Sequence, residues 1–267
     1  MAAVAPALSV PDVRSHLHAR VVGRKIIYRP SVASTMDVAR EEAEAGAEEG
    51  TTVVTDEQTA GRGRLGRTWI SPAGANVYVS VVLRPEPEHL RPLSMLCPLA
   101  VCRAIEEVTG LPARIKWPND VLIHGRKVSG TLIDAEFEDG GIRYAIAGVG
   151  INVNFDVSQY EEIRDLATSL STELGREVPR EQVLAAFLNH LEELYLDLQR
   201  GQAVHGLWKA RLDTLGQRVR VRYGQSDTAG EVHEGLAEDT DESGALILRR
   251  ADGSTVRVEA GDVTLKA

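Results

Sequence analysis

The sequence predicts an α/β (α+β) fold, with helices flanking a central mixed or antiparallel sheet and a small β-barrel at the C-terminal end. Three observations carry this. Residues 113–154 string β-branched strands together through the turn groups Pro-Asn-Asp, His-Gly and Asp-Gly-Gly, with no long helix between, which argues for successive hairpins. Residues 93–110 and 179–200 read as helices on either side of that region. After Leu215-Gly216 the chain turns to five short alternating strands with Gly and Asp turns, about fifty residues of SH3-like or OB-like size that should close into a barrel.

In chain order, RKIIYRPS (24–31) is the first strand. Ser34 or Thr35 caps a helix whose apolar face carries Met36, Ala39 and Ala43, with Gly46 as its stop. Residues 51–58 form a short strand, and 75–85 a strong one. The helix over 93–110 is apolar nearly all round and closes at Gly110; Pro98 implies a kink or a start near it. Over 179–200 the core side is Val183, Leu184, Phe187, Leu188, Leu191, Leu194, Tyr195 and Leu198. A short helix at 206–213 precedes the small strands at 217–224, 228–239, 244–250, 254–260 and 262–267. The expected units are a ligand-binding domain over 1–213 and the barrel over 214–267.

With 267 residues, 43% hydrophobic and 26% charged, the chain has the composition of a globular protein able to bury a sizeable core. Its formal net charge of -9 argues against a bulk electrostatic grip on nucleic acid. Cys97 and Cys102 lie in an apolar helical stretch and read as buried small hydrophobes. The apolar N-terminus lacks a basic leader region and is interrupted by Pro6 and Pro11, so it does not read as a signal peptide. No apolar run is long enough to span a membrane, and the expected location is the cytoplasm.

Gly61, Gly63 and Gly66 fit G-x-G-x-x-G, yet Arg62, Arg64 and Arg67 fill most of the remaining places. A dinucleotide site needs a helix after the glycines; Pro72 and Gly74 forbid one here. A Walker loop would need a different gap before Gly66-Arg67-Thr68. The plain alternative is a solvated basic loop, in which like charges repel unless something neutralises them. Guanidinium forks and exposed backbone N–H groups suit a strongly negative small molecule. The stretch therefore reads as an anion clamp that orders and closes on its ligand.

KWPND (116–120) is either a hairpin turn with a core tryptophan or a lysine for phosphate beside an Asn-Asp pair for ribose or metal. Lys127 is either a solvated hairpin lysine or a second cation. Gly148 and Gly150 inside an apolar strand mean a bulge or the close approach of another body.

STMD (34–37), EQTAGRGRLGRTWISPAGANVYVS (57–80), KWPND, GRKVSG (125–130) and GVGINVN (148–154) occur in an order and at spacings that resemble the biotin protein ligase family, the biotin–[acetyl-CoA-carboxylase] ligases. The likeness covers roughly residues 24–200, and the small C-terminal unit suits it. It implies a sheet of class II synthetase/biotin ligase type and an SH3-like barrel. Two departures stand out. Repressing members carry an N-terminal winged helix, for which about two dozen leading residues are too few, so the monofunctional type without DNA binding is expected. Met36 stands where many members have asparagine.

The resemblance implies that biotin and ATP are substrates, joined as biotinyl-5'-AMP, and that biotin passes to a lysine of a biotin carboxyl carrier protein. By that likeness Arg64, Lys116 and Lys127 are the catalytic candidates. Biotin would meet Ser34, Thr35, Gln58, Arg62, Lys127, Gly130, Leu132, Gly148 and Gly150. The nucleotide would meet Gly61, Gly63, Arg64, Gly66, Arg67, Trp69, Lys116, Asn119 and Asn152. Mg²⁺ would accompany the triphosphate near Asp120. A lipoate or octanoate ligase or transferase on a related scaffold is the alternative; those proteins lack the G-R-G-R and K-W-P-N-D stretches. The oligomeric state stays open, a homodimer included.

Overall fold

The computed structural model describes residues 6–222 and 232–265. The extreme N-terminus (1–5), the end of the strand expected at 217–224, the start of that expected at 228–239 and the end of that expected at 262–267 lie outside the described residues.

The chain runs α1 (Val10–His16), β1 (Ile26–Val32), α2 (Thr35–Glu44), β2 (Thr52–Gln58), β3 (Val77–Leu83), α3 (Leu90–Thr109), β4 (Arg114–Lys116), β5 (Asp120–Ile123), β6 (Arg126–Glu138), β7 (Gly141–Ile151), α4 (Leu170–Leu174), α5 (Arg180–Gln199) and α6 (His205–Lys209). Strands β8 (Arg218–Arg222), β9 (Val232–Thr240), β10 (Leu246–Arg249), β11 (Thr255–Val258) and β12 (Asp262–Leu265) follow. The first seven strands form one sheet in the order β1-β2-β3-β7-β6-β5-β4. Only β1 and β2 are parallel, so the sheet is mixed, as expected.

Side-chain alternation divides this sheet into two unlike faces. Val77, Val79, Val81 and Leu83 of β3 and Ala145, Ala147, Val149 and Ile151 of β7 join the main core with α3 and α5. On the other face Val82, Tyr144 and Ile146 pack with Met36, Ala39 and Ala43 of α2. Farther along that face β7 carries Gly148 and Gly150, opposite Leu132 and Gly130 of β6. Two glycines leave a depression there, partly occupied by Met36 of α2 and by Trp69, while the opposite face is filled.

α3 runs unbroken through Pro98 from a start at Leu90, so Pro98 marks neither its start nor its end. Gly110 closes it in the left-handed region, as its sequence predicts. Ahead of β1 lies α1, which the strand-and-helix reading missed. Ser9 caps it, and Pro11 sits in its first turn, where a missing N–H costs nothing. The proline read as an interruption is a helix start.

α5 buries two charged residues besides its apolar face. Arg180 Nη1 meets Asp56 Oδ1 at 2.7 Å, and Asp56 also accepts from the Leu8 N–H and the Tyr28 hydroxyl. Glu192 accepts from the N–H groups of Arg20, Val21 and Val22. Both carboxylates are buried yet hydrogen-bonded, the condition under which burial is tolerated. Together they tie the N-terminal segment to α5 and β2.

The C-terminal strands form a separate antiparallel sheet ordered β11-β10-β9-β8-β12. Among the described residues no ladder joins β11 to β12, so the expected barrel takes the form of a five-stranded sheet whose seam is not hydrogen-bonded.

Candidate active site

The depression beside Gly148 and Gly150 opens into a cavity of about 720 Å³. Its polar end is built where α2 begins. Ser34 Oγ accepts from the Met36 N–H at 3.3 Å, so Ser34 is the cap. Thr35 donates twice to Gln58 Oε1, from its N–H at 2.9 Å and its hydroxyl at 3.1 Å. Ser80 Oγ donates to Thr35 Oγ1 at 2.8 Å. Gln58 Nε2 donates to Ser71 Oγ at 3.1 Å, and Ser71 donates onward to the Trp69 carbonyl at 2.9 Å. The chain from Ser80 to Trp69 fixes which way the Gln58 amide faces and anchors the loop that follows.

That loop is a miniature hairpin. The Trp69 N–H donates to Gly61 O at 2.9 Å and the Gly63 N–H to Arg67 O at 2.8 Å. A Cβ at Gly61 would strike the Trp69 carbonyl, and Gly66 has φ 73, so two of the three glycines are needed for shape. Leu65 takes φ 57 at the tip, a conformation a branched aliphatic residue rarely adopts. No helix follows the glycines; β3 does.

The arginines do not simply repel one another. Arg62 pairs with Asp37 at 2.5 Å, and Arg67 pairs with Asp262 of β12. Arg64 donates to Asn119 Oδ1 at 3.0 Å and to the Gly261 carbonyl at 3.4 Å. The reading of an unneutralised loop is corrected: aspartates from α2 and β12 supply the countercharge. Burial pulls the Arg64 guanidinium below its usual pKa, with Asp262 and Asp120 opposing the shift. Burial likewise lowers Lys116, and Asp120 again opposes. Lys127 Nζ lies 2.6 Å from Asp120 Oδ1 and 5.3 Å from the centre of the Trp69 ring. Arg64, Arg67, Lys116 and Lys127 therefore gather at one end of the cavity around Asp120 and Asp262.

Trp69 lies across the glycine floor. A Cβ on Gly150 would come within 2.5 Å of its Cε2 and Nε1, and one on Gly130 within 3.2 Å of its Cζ3. Its indole N–H is buried without a hydrogen-bond partner. Asn119, at the turn after the cis Trp117–Pro118 bond, donates to the Thr131 carbonyl while its Oδ1 holds Arg64. Asn152 donates to the Thr168 carbonyl at 3.0 Å. Ser34, Thr35, Gln58, Arg62, Gly63, Arg64, Arg67, Trp69, Lys116, Asn119, Asp120, Lys127, Gly130, Leu132, Gly148, Gly150 and Asn152 all line this cavity. Gly61 and Gly66 stand behind it, shaping the hairpin.

Residues 28–152 match the Biotin/lipoate A/B protein ligase family, and residues 214–266 match the Biotin protein ligase C terminal domain. The bifunctional ligase/repressor BirA of Bacillus subtilis is 37% identical over 97% of this chain and 79% of its own length. The chain belongs to the biotin protein ligase family. The biotin–[acetyl-CoA-carboxylase] ligase of Paracoccus denitrificans is 36% identical over 76% of this chain and 86% of its own. The solved biotin protein ligase of Aquifex aeolicus in complex with biotin and ATP is 30% identical, with a TM-score of 0.75 over 91% of this chain and 99% of that one.

Two parts of this ligase-family site carried no signal that the motifs exposed. Phe155, Ile163, Leu166 and Ala167, on the segment after β7, give the cavity an apolar wall next to Ile70. Asp262, Val263 and Thr264 reach it from the small C-terminal sheet. Residues 155–167 have no clear periodicity, and one strand-end aspartate looks like any other until the fold brings it to Arg67. As for a metal, no group of three or more His, Cys, Asp or Glu residues able to hold one occurs among the described residues. Mg²⁺ that arrives on nucleotide phosphates needs only one or two protein carboxylates, and Asp120 fits that lesser demand.

Proposed function

We infer how the cavity divides its work; the overall reaction is ATP-dependent ligation of biotin to protein, the activity of the family. The observation that carries the reading is one cavity with a hydroxyl-amide end at Ser34, Thr35 and Gln58 and a four-cation end at Arg64, Arg67, Lys116 and Lys127. The ureido ring of biotin takes the first end, and its acyl tail runs from there past Trp69, which covers Gly150 and Gly130, toward the cations. A biotin carboxylate oxygen then attacks the α-phosphorus of ATP, the bond to pyrophosphate breaks, and biotinyl-5'-AMP forms.

Two anions must touch in that step, and cations set in a partly water-excluded site are what lower its barrier. Arg64 is the central catalytic group, because of the three loop arginines lining the cavity it is the one not exposed. Lys116 and Lys127 hold phosphate oxygens; Asp120 would hold a Mg²⁺ arriving with the triphosphate, which would help neutralise the phosphate charge. Trp69 and the wall from Phe155 to Ala167 border the adenine. In the second step the amine of an acceptor lysine attacks the acyl carbon and AMP leaves. The acceptor we propose is a biotin carboxyl carrier protein, the class implied by relatives named for acetyl-CoA carboxylase.

Incubation with biotin, Mg-ATP and a biotin carrier domain, read by mass spectrometry, should show one biotinyl group added to one lysine. Lipoate in place of biotin should add nothing; transfer of lipoate instead would overturn the reading. The proposal that the chain ligates without repressing rests on its net charge of -9. Salt-sensitive, sequence-specific DNA binding in the presence of biotin and ATP would refute it.

A further inference from the structure

Met36, where the motifs depart from the family pattern, has a position that the reaction as described does not use. It directly follows the cap and Thr35 in α2, and it is 5% exposed. Its side chain crosses to β7. A Cβ built on Gly148 would lie 2.8 Å from Met36 Sδ and 2.9 Å from its Cγ, closer than real side chains approach. The thioether thus fills the gap that the missing side chain of Gly148 leaves. Behind it stand Ala39, Val53, Val82, Tyr144 and Ile146, with Leu132 beside it. Met36, Leu132 and Gly148 line the cavity together with Ser34, Thr35 and Gln58.

We propose that Met36 is a specificity-determining residue: its thioether, seated against Gly148, is the apolar end wall on which the fused ring of biotin rests, and it sets the bulk and polarity of the ring the cavity accepts. This rests on the reading that Ser34, Thr35 and Gln58 hold the ureido end. Met36 borders those groups in sequence and in space, so it faces the ring and not the acyl tail. A buried asparagine at this position would set an amide against the apolar side chains of Ala39, Val82 and Ile146. Methionine brings instead a polarizable, unbranched chain that conforms to the gap. Its wall and the glycine are coupled: either one changed alone alters the bay, and both changed together restore much of its volume.

The test uses biotin and biotin sulfone, whose ring sulfur carries two oxygens, in ATP–pyrophosphate exchange. The wild-type protein should favour biotin. Met36→Ala should narrow the ratio of kcat/KM values by about tenfold or more, the scale of one group in an apolar pocket. Met36→Leu, which conserves volume, should keep the ratio. Gly148→Ala should drive the thioether into the cavity and raise KM for biotin with kcat retained, and adding Met36→Ala should relieve that rise. Should Met36→Ala fail to fold, Met36→Val supplies the truncation. An unchanged ratio in the truncated variant, or strictly additive effects at 36 and 148, overturns the proposal. Gln58→Ala separates the two readings. If it raises KM for biotin while the Met36 results are negative, only the end wall fails. If it leaves KM unchanged, the placement of the ureido ring fails first.

Discussion

Replacing Arg64 by alanine sets the largest expected effect on rate against a small one on stability. In the folded protein Arg64 makes one hydrogen bond of 3.0 Å to Asn119 and a longer one of 3.4 Å to Gly261. Neither lies in the main core. Losing them, with Asn119 Oδ1 left without its donor, costs about 1–3 kcal/mol of stability. For a chain of this size that is a fall of several degrees in Tm. The rate effect is of another order. Removing one preorganised group that stabilises developing transition-state charge typically costs ~10²–10³-fold in kcat. Arg64→Ala should therefore lose at least two decades of biotin-dependent ATP–pyrophosphate exchange while remaining folded. Arg64→Lys keeps the charge but not the fork and should fall between. Near-UV circular dichroism and thermal unfolding establish the fold; exchange and filter retention of biotinyl-AMP establish the chemistry. If exchange and retention both match the wild type, the arginine loop is not a clamp and the account of catalysis fails.

Gly150→Ala should force the rigid Trp69 indole off the glycine floor, because the new Cβ would meet ring atoms at 2.5 Å; overpacking of this kind costs about 1–3 kcal/mol, and a shift in Trp emission with raised KM for biotin or ATP is the expected readout. Burial holds Lys116 below its usual pKa of 10.5, so in the free enzyme it loses its proton as pH rises, earlier than an exposed lysine does. The kcat/KM for ATP should decline on the alkaline side, and Lys116→Arg should remove that limb; identical profiles would exclude Lys116 from phosphate binding. Burial and the hydrogen bond to Asp56 raise the Tyr28 hydroxyl from 10.0 to about 12. Its protonated form is favoured in the folded state, so its stabilisation is whole below about pH 10 and is lost as pH climbs toward 12. Tyr28→Phe should flatten the alkaline loss of stability in that window, measured by urea unfolding.

The strand-and-helix order was legible because periodicity and turn residues agree along most of the chain. The alternation in VYVSVVL and YAIAGVGI even foretells two faces, with the glycines on the one that opens. What alternation cannot state is which side chains lie over those glycines: Met36 of α2 covers Gly148 and Trp69 covers Gly150, and the cavity opens beside them. The α1 helix was legible in principle, since Ser9 and Asp12 stand at cap and first-turn positions, but Pro11 drew attention as a breaker. The buried pair of Asp56 and Arg180 was not. Their separation in sequence is long, and each type is usually exposed. The same holds for Asp262, which reaches Arg67 only because β12 returns to the mouth of the cavity.

That return changes the electrostatic argument for the whole site. Arginine and lysine side chains gathered for a triphosphate would repel one another before it arrives, and the folded protein must tolerate that state. Here each of several cations has a carboxylate at hand: Asp37 for Arg62, Asp120 for Lys127 and Asp262 for Arg67. These aspartates hold the cations near the places where phosphate oxygens would sit, at the expense of competing with them. With the triphosphate placed as proposed, it carries more charge than any one aspartate, and a magnesium ion brought with it would give a freed carboxylate a new partner. On that proposal binding would be an exchange of ion partners rather than the creation of new ones, and each pair would contribute less to affinity than its short distance suggests. The selectivity of the step falls instead to geometry: only a ligand that spans the distance from Gln58 to Lys116 engages both the neutral end and the charged end of the cavity at once.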